Sequence, residues 1–207
     1  MPGHMRNAHR LGAAIVLLFV VTHLGAHLWG ARGPEAHARA LGLFQSVYRQ
    51  PLVEPLLILA FLFQVSTGVR RVLLRWRETD KGLWGWAQII SGLFIGFFVL
   101  AHTSAALATR HFAHVETNFY WPAGSLTVTP IKYAFAPYYA FAIMAIFTHV
   151  AAAIHFAAPG RWRWSKPLLI SIGLFITGAI LLIYSGGLFP IELPEDHKAY
   201  FDSITSG

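Results

Sequence analysis

Four stretches of nineteen or more residues contain no Asp, Glu, Lys or Arg, and a fifth carries charge only near its ends. A bilayer core is crossed by about 20 apolar residues, because a helix rises about 1.5 Å per residue and satisfies its own backbone polar groups in hydrocarbon. The five stretches lie at 11–29, 52–72, 84–108, 133–157 and 168–188, and each predicts a membrane-spanning helix. The expected fold is therefore an all-α integral membrane bundle of five transmembrane helices, a single transmembrane domain over residues 1–207. Composition agrees, with 56% hydrophobic residues and only 12% charged, about half the charged share of a soluble domain.

Lys and Arg in the short flanks set the expected orientation. One side carries Arg6, Arg10, Arg70, Arg71, Arg75, Arg77, Lys81, Arg161, Arg163 and Lys166 against Glu78 and Asp80, a balance of +8. The other carries Arg32, Arg39, Arg49, Arg110, Lys132 and Lys198 against Glu35, Glu54, Glu116, Glu192, Glu195, Asp196 and Asp202, a balance of −1. The amino terminus is expected in the cytoplasm and the carboxyl terminus outside, with the first stretch retained as an anchor. An anionic lipid surface or an acidic partner explains the basic side better than nucleic acid does. Between the first two spans, Gly33-Pro34-Glu35 begins a short segment, to residue 48, expected to lie flat on the outer face. Proline at the first helical position and an acid in the first turn support that reading. The 109–130 connection, with its Asn, Gly, Pro and aromatic residues, reads as an irregular cap.

The chain has no cysteine, which removes disulfides, thiolate metal sites and thiol nucleophiles together. It also lacks GxxxxGK[ST] and GxGxxG phosphate-binding loops. Eleven histidines remain, and those inside a span are functional candidates, since each must offset its desolvation with a partner. His23 lies six residues before Trp29, about 9 Å from the outer boundary, and His102 lies eight before Arg110, about 12 Å from it. At one level on two helices, this pair predicts axial ligation of a six-coordinate haem. His27, one turn beyond His23, is a fallback ligand or a haem-propionate neighbour. His149 belongs to the other leaflet, about 18 Å from the inner end of its span. The second span offers no histidine at that level, only Gln64, and an amide is a poor iron ligand. Arg10 is an interfacial anchor first, then a candidate contact for a propionate or a quinone head group.

Three segments together resemble a known family. Val20-Val21-Thr22-His23-Leu24 with Ala31-Arg32-Gly33-Pro34-Glu35-Ala36, then Gln88-Ile89-Ile90-Ser91-Gly92 leading to Ala101-His102, then Ile146-Phe147-Thr148-His149, are similar in order and spacing to the five-helix cytochrome b membrane subunit of the succinate dehydrogenase and fumarate reductase superfamily. The resemblance covers roughly residues 6 to 185. It implies an outer haem b on His23 and His102, and an inner one on His149 and the residue four before Gly68, which here is Gln64. One haem is expected and two are conceivable. It further implies cytoplasmic flavoprotein and iron–sulfur partners and exchange of electrons with membrane quinone; the expected location is an integral membrane one, the bacterial inner membrane first and an organelle membrane as the alternative. The chain would be at most a flavin-free membrane subunit of a quinone oxidoreductase, linking a dehydrogenase to the quinone pool. The alternative is a stand-alone five-helix haem membrane protein acting in lipid or haem homeostasis or sensing. A haem-free scaffold with structural histidines is a third reading.

Overall fold

The computed structural model describes residues 3–77, 80–158 and 164–206, with side chains from Asn7 onward. Glu78, Arg161, Trp162 and Arg163 lie outside the described residues. Among the described residues, eight α-helices follow one another: α1 (Gly3–Trp29), α2 (Pro34–Tyr48), α3 (Val53–Arg75), α4 (Gly82–His111), α5 (Tyr120–Thr127), α6 (Lys132–Ala157), α7 (Ser165–Tyr184) and α8 (Glu195–Thr205). Five of them, α1, α3, α4, α6 and α7, are long and apolar enough to cross a membrane, as their uncharged runs predict. They close into a ring in the order α1, α3, α4, α6, α7, with α7 packing back on α1. Their outward faces are apolar: Leu18 is 68% exposed, and Leu59, Phe97 and Phe175 are likewise exposed. Such a surface suits lipid and not water, and the architecture is that of an integral membrane protein.

The short helices α2, α5 and α8 all gather at one end of the ring, the capped end. The end of α3, the start of α4, the start of α1 and the start of α7 occupy the opposite, basic end. Helix α1 runs into one turn of 3-10 helix at Gly30–Arg32 and then reverses at Gly33, whose φ of 103° is a conformation that favours glycine. Pro34 then opens α2, and His37 N–H closes its first turn on the Gly33 carbonyl at 3.1 Å. One stripe of α2, Ala36, His37 and Leu41, is buried, while Leu43 and Val47 face outward.

Two expectations need correcting. The fifth span ends at Tyr184 and not at residue 188, because the chain turns at Ser185-Gly186-Gly187 with Gly186 at φ 80°. The 109–130 connection is only partly irregular, since it contains α5, in which Trp121 to Leu126 are all buried. Asn118 Oδ1 accepts the Tyr120 N–H at 2.9 Å at its start, and Pro122 falls in the first turn, where it is tolerated. The cluster of Phe119, Ala123, Leu126, Tyr139, Ile143, Ile180, Ile183 and Tyr184 joins α5 to α6 and α7 and forms the core.

Helix α8 docks on α5 and the segment before it through two buried residues. Phe201 lies directly against Gly124, and His197 Nε2 donates to the Glu116 carbonyl at 2.9 Å. No side chain larger than hydrogen fits at position 124 without moving Phe201. Gly124→Leu is therefore expected to undock α8 while the five long helices stay folded. Limited proteolysis checks this, with cleavage at Lys198 expected to quicken at least tenfold in the variant.

Candidate functional site

Helices α1 and α4 are not neighbours in the ring, so a side chain from each meets the other across the bundle interior. His23 of α1 and His102 of α4 line one cavity of about 240 Å³, with ring centroids 6.2 Å apart and ring planes at 70°. A haem, were it bound here, would be held by these two imidazoles from opposite helices, and it would supply one-electron exchange. Aromatic stacking holds both rings: His23 lies on Phe19 at 5.3 Å and 15°, and His102 on Phe98 at 5.0 Å and 12°. The Nδ1 atom of His23 is buried without a hydrogen-bond partner, an unusual state for a polar atom. Beside the rings the walls are largely apolar, including Val16, Val20, Phe61, Val99 and Ile146. Among the described residues no three His, Cys, Asp or Glu side chains form a common metal-ligand group.

His27 stands beside His23, their Nε2 atoms 3.2 Å apart, and its Nδ1 is 2.7 Å from Tyr184 Oη of α7. His37 completes the cluster and was not singled out from the sequence. It is 0% exposed, both its ring nitrogens lack a partner, and its ring lies 5.2 Å from that of His27. Burial, and then the His23 ring, push the His37 imidazole down to about 4 from its ordinary 6.5. A histidine in a short helix outside any span gives no periodic signal, so only its burial reveals it.

At the capped end the same cavity reaches Arg49, Arg110, Glu54, Thr117 and Asn118. Arg110 pairs with Glu54 at 2.6 Å, and Arg49 with Glu116 at 3.4 Å and Thr117 Oγ1 at 2.9 Å. Two ion pairs thus tie α4 to α3, and the end of α2 to the segment before α5. In the sequence these arginines stand out only as flanking charge.

The remaining candidates lie elsewhere. Toward the basic end, His149 Nδ1 donates to the Gln88 carbonyl at 3.2 Å and lies 3.1 Å from Ser91 Oγ. Its ring fills the space above Gly92, where an added Cβ would come within 2.9 Å of Cε1. Gln64 instead donates to the His9 carbonyl at 2.9 Å, and the His9 ring meets Thr67 Oγ1 at 2.7 Å. The structure therefore gives His149 and Gln64 different partners. Arg10 is exposed and thirteen residues from His23, about 20 Å along the helix, so it is not brought to the paired imidazoles. His155 stacks on Trp84 at 5.4 Å, an interfacial contact. Gly92→Ala is expected to displace His149 and cost about 1–3 kcal/mol through overpacking, measured as a lowered midpoint of thermal unfolding in detergent. The His23 and His102 pair should be unaffected. No protein-family model, curated protein or solved structure matches this chain.

Proposed function

We propose that the chain binds haem b between His23 and His102 and serves as an electron-transfer subunit in the membrane. The observation that carries this reading is the pair of imidazoles 6.2 Å apart across an apolar cavity, one with a buried, unpartnered nitrogen. Haem held there supplies one-electron exchange without proton chemistry at the iron. The chain's own part is to present two nitrogens, to hold both rings flat against Phe19 and Phe98, and to exclude water with the walls and the cap. Low polarity and bis-imidazole ligation together tune such a centre.

The resemblance to five-helix cytochrome b subunits extends the proposal. With the basic end in the cytoplasm, Arg10, Arg70, Arg71, Arg75, Arg77, Lys81 and Lys166 would face a flavoprotein and iron–sulfur partner, and quinone would exchange electrons with the haem. Any substrate chemistry would lie in those partners, since the chain carries no nucleotide-binding loop. One observation favours the second reading, a stand-alone haem protein in lipid or haem homeostasis or sensing. Gln64 stands where the resemblance asks for a fourth histidine, and it is bonded to the α1 backbone.

A pyridine haemochrome assay on the detergent-purified chain tests the proposal. One haem b per chain is the expected result, and none after expression with ample haem overturns it. Co-purification of a flavoprotein separates the first reading from the second.

A further inference from the structure

Helix α2 is part of the cavity wall at the capped end, where Leu41, Gln45 and Tyr48 line it together with Arg49, the residue that caps the helix. Ala36, His37 and Leu41 are its buried residues, and the Tyr48 ring meets Phe19 of α1 edge-on at 5.3 Å. Its far end is fastened by Arg49 to Glu116 and Thr117. Among the described residues four buried side-chain polar atoms lack a hydrogen-bond partner, and three of them are His37 Nδ1, His37 Nε2 and Arg49 Nε. Around the His37 ring stand the rings of His27, Phe119 and Tyr184. A buried polar atom without a partner forfeits the hydrogen bond it makes to water. The docked helix therefore carries a penalty that lifting relieves, because a lifted α2 gives these nitrogens to water.

The other end of α2 has the form of a hinge. Gly33 joins it to the preceding turn at φ 103° and ψ 167°, a region essentially confined to glycine. Leu43 and Val47 are apolar and exposed, so a lifted helix keeps one face in the lipid surface. We propose that α2 is a lid on the cavity, hinged at Gly33, whose closed state is weakened by the unpartnered nitrogens of His37 and Arg49 so that it opens to admit a guest. The lid is independent of which guest the cavity takes.

Because the chain has no cysteine, access can be read with one introduced thiol. Thr103 of α4 lines the cavity, whereas Leu100 of the same helix is exposed and serves as the control. In the detergent-purified, haem-free chain, the rate at which a maleimide labels Thr103→Cys follows the open fraction of the lid when opening and closing are fast. Adding His37→Leu replaces two unpartnered nitrogens by an apolar side chain and is expected to slow labelling about fivefold. Adding Gly33→Ala, which strains the closed hinge, is expected to quicken it about tenfold or more. Thr117→Val keeps the shape of the rim and removes the 2.9 Å bond from Arg49, and should quicken labelling about threefold. Labelling of Leu100→Cys should be the same in every background. Equal Thr103→Cys rates in the His37→Leu and Gly33→Ala backgrounds overturn the lid. Faster labelling with His37→Leu also overturns the proposal, since the imidazole would then be holding the helix closed.

Discussion

His23→Ala and His102→Ala are each expected to abolish the low-spin bis-imidazole spectrum, with bound haem falling at least tenfold in the purified protein. The size of the effect follows from the site's construction. Most of the wall is apolar, the Glu54 carboxylate is held by Arg110 at the capped end, and the His27 ring is bonded to Tyr184, so none of these is placed to replace a lost nitrogen. Even residues that merely orient a ligand are worth about 10–100-fold in metal affinity. His155→Ala serves as the control, because that ring stacks on Trp84 and contacts Lys166 at the opposite end. Visible spectra of the reduced and oxidised variants, with protein quantitation, decide the matter. A low-spin spectrum surviving in both ligand variants would sink the assignment.

Acid is expected to loosen α2 from the bundle. His37 is buried as a neutral ring whose pKa is about 4, whereas an undocked α2 exposes an imidazole near 6.5. Because the undocked state then binds more protons, stability rises with pH across this window. His37's contribution to docking is present above about pH 6.5 and is lost progressively toward pH 4. Between pH 7 and pH 5 the loss is about 2 kcal/mol, or about twentyfold in the docking equilibrium. Hydrogen exchange of the α2 amides in the haem-free chain, corrected for intrinsic rates, should show this change, and His37→Leu should flatten it. Equal acid sensitivity in the His37→Leu variant would assign the effect to another group.

The features legible in the sequence are those with a local cause. An uncharged run long enough to span hydrocarbon needs no partner to be recognised, so all five long helices were expected, although α1 begins at Gly3 and not near residue 11. Gly33-Pro34 marks the start of α2 by backbone chemistry alone, and a fixed rise per residue puts His23 and His102 on one level. What escaped is set by tertiary contact. Helix α5 contains Pro122 and Gly124, both poor helix formers, and it holds its shape because six consecutive residues are buried beneath the cap. Helix α8 has no long apolar run in the sequence, and only tertiary contact buries its Phe201 and His197. His37 and Tyr184 belong to the candidate site only because α2 folds back onto α1 and α7 closes the ring.

The two guanidinium groups at the cavity mouth already hold glutamates as counter-ions. A guest bearing acidic groups meets a rim that is electrically neutral overall, and it gains a guanidinium only by sending Glu54 or Glu116 out to water. Such an exchange trades one ion pair for another and changes the net charge interaction little. The affinity of the proposed haem would then come from the apolar walls and the two imidazoles. Binding should accordingly resist added salt, in contrast to a rim of bare positive charge, which would make uptake fast in dilute buffer and weak in the cell.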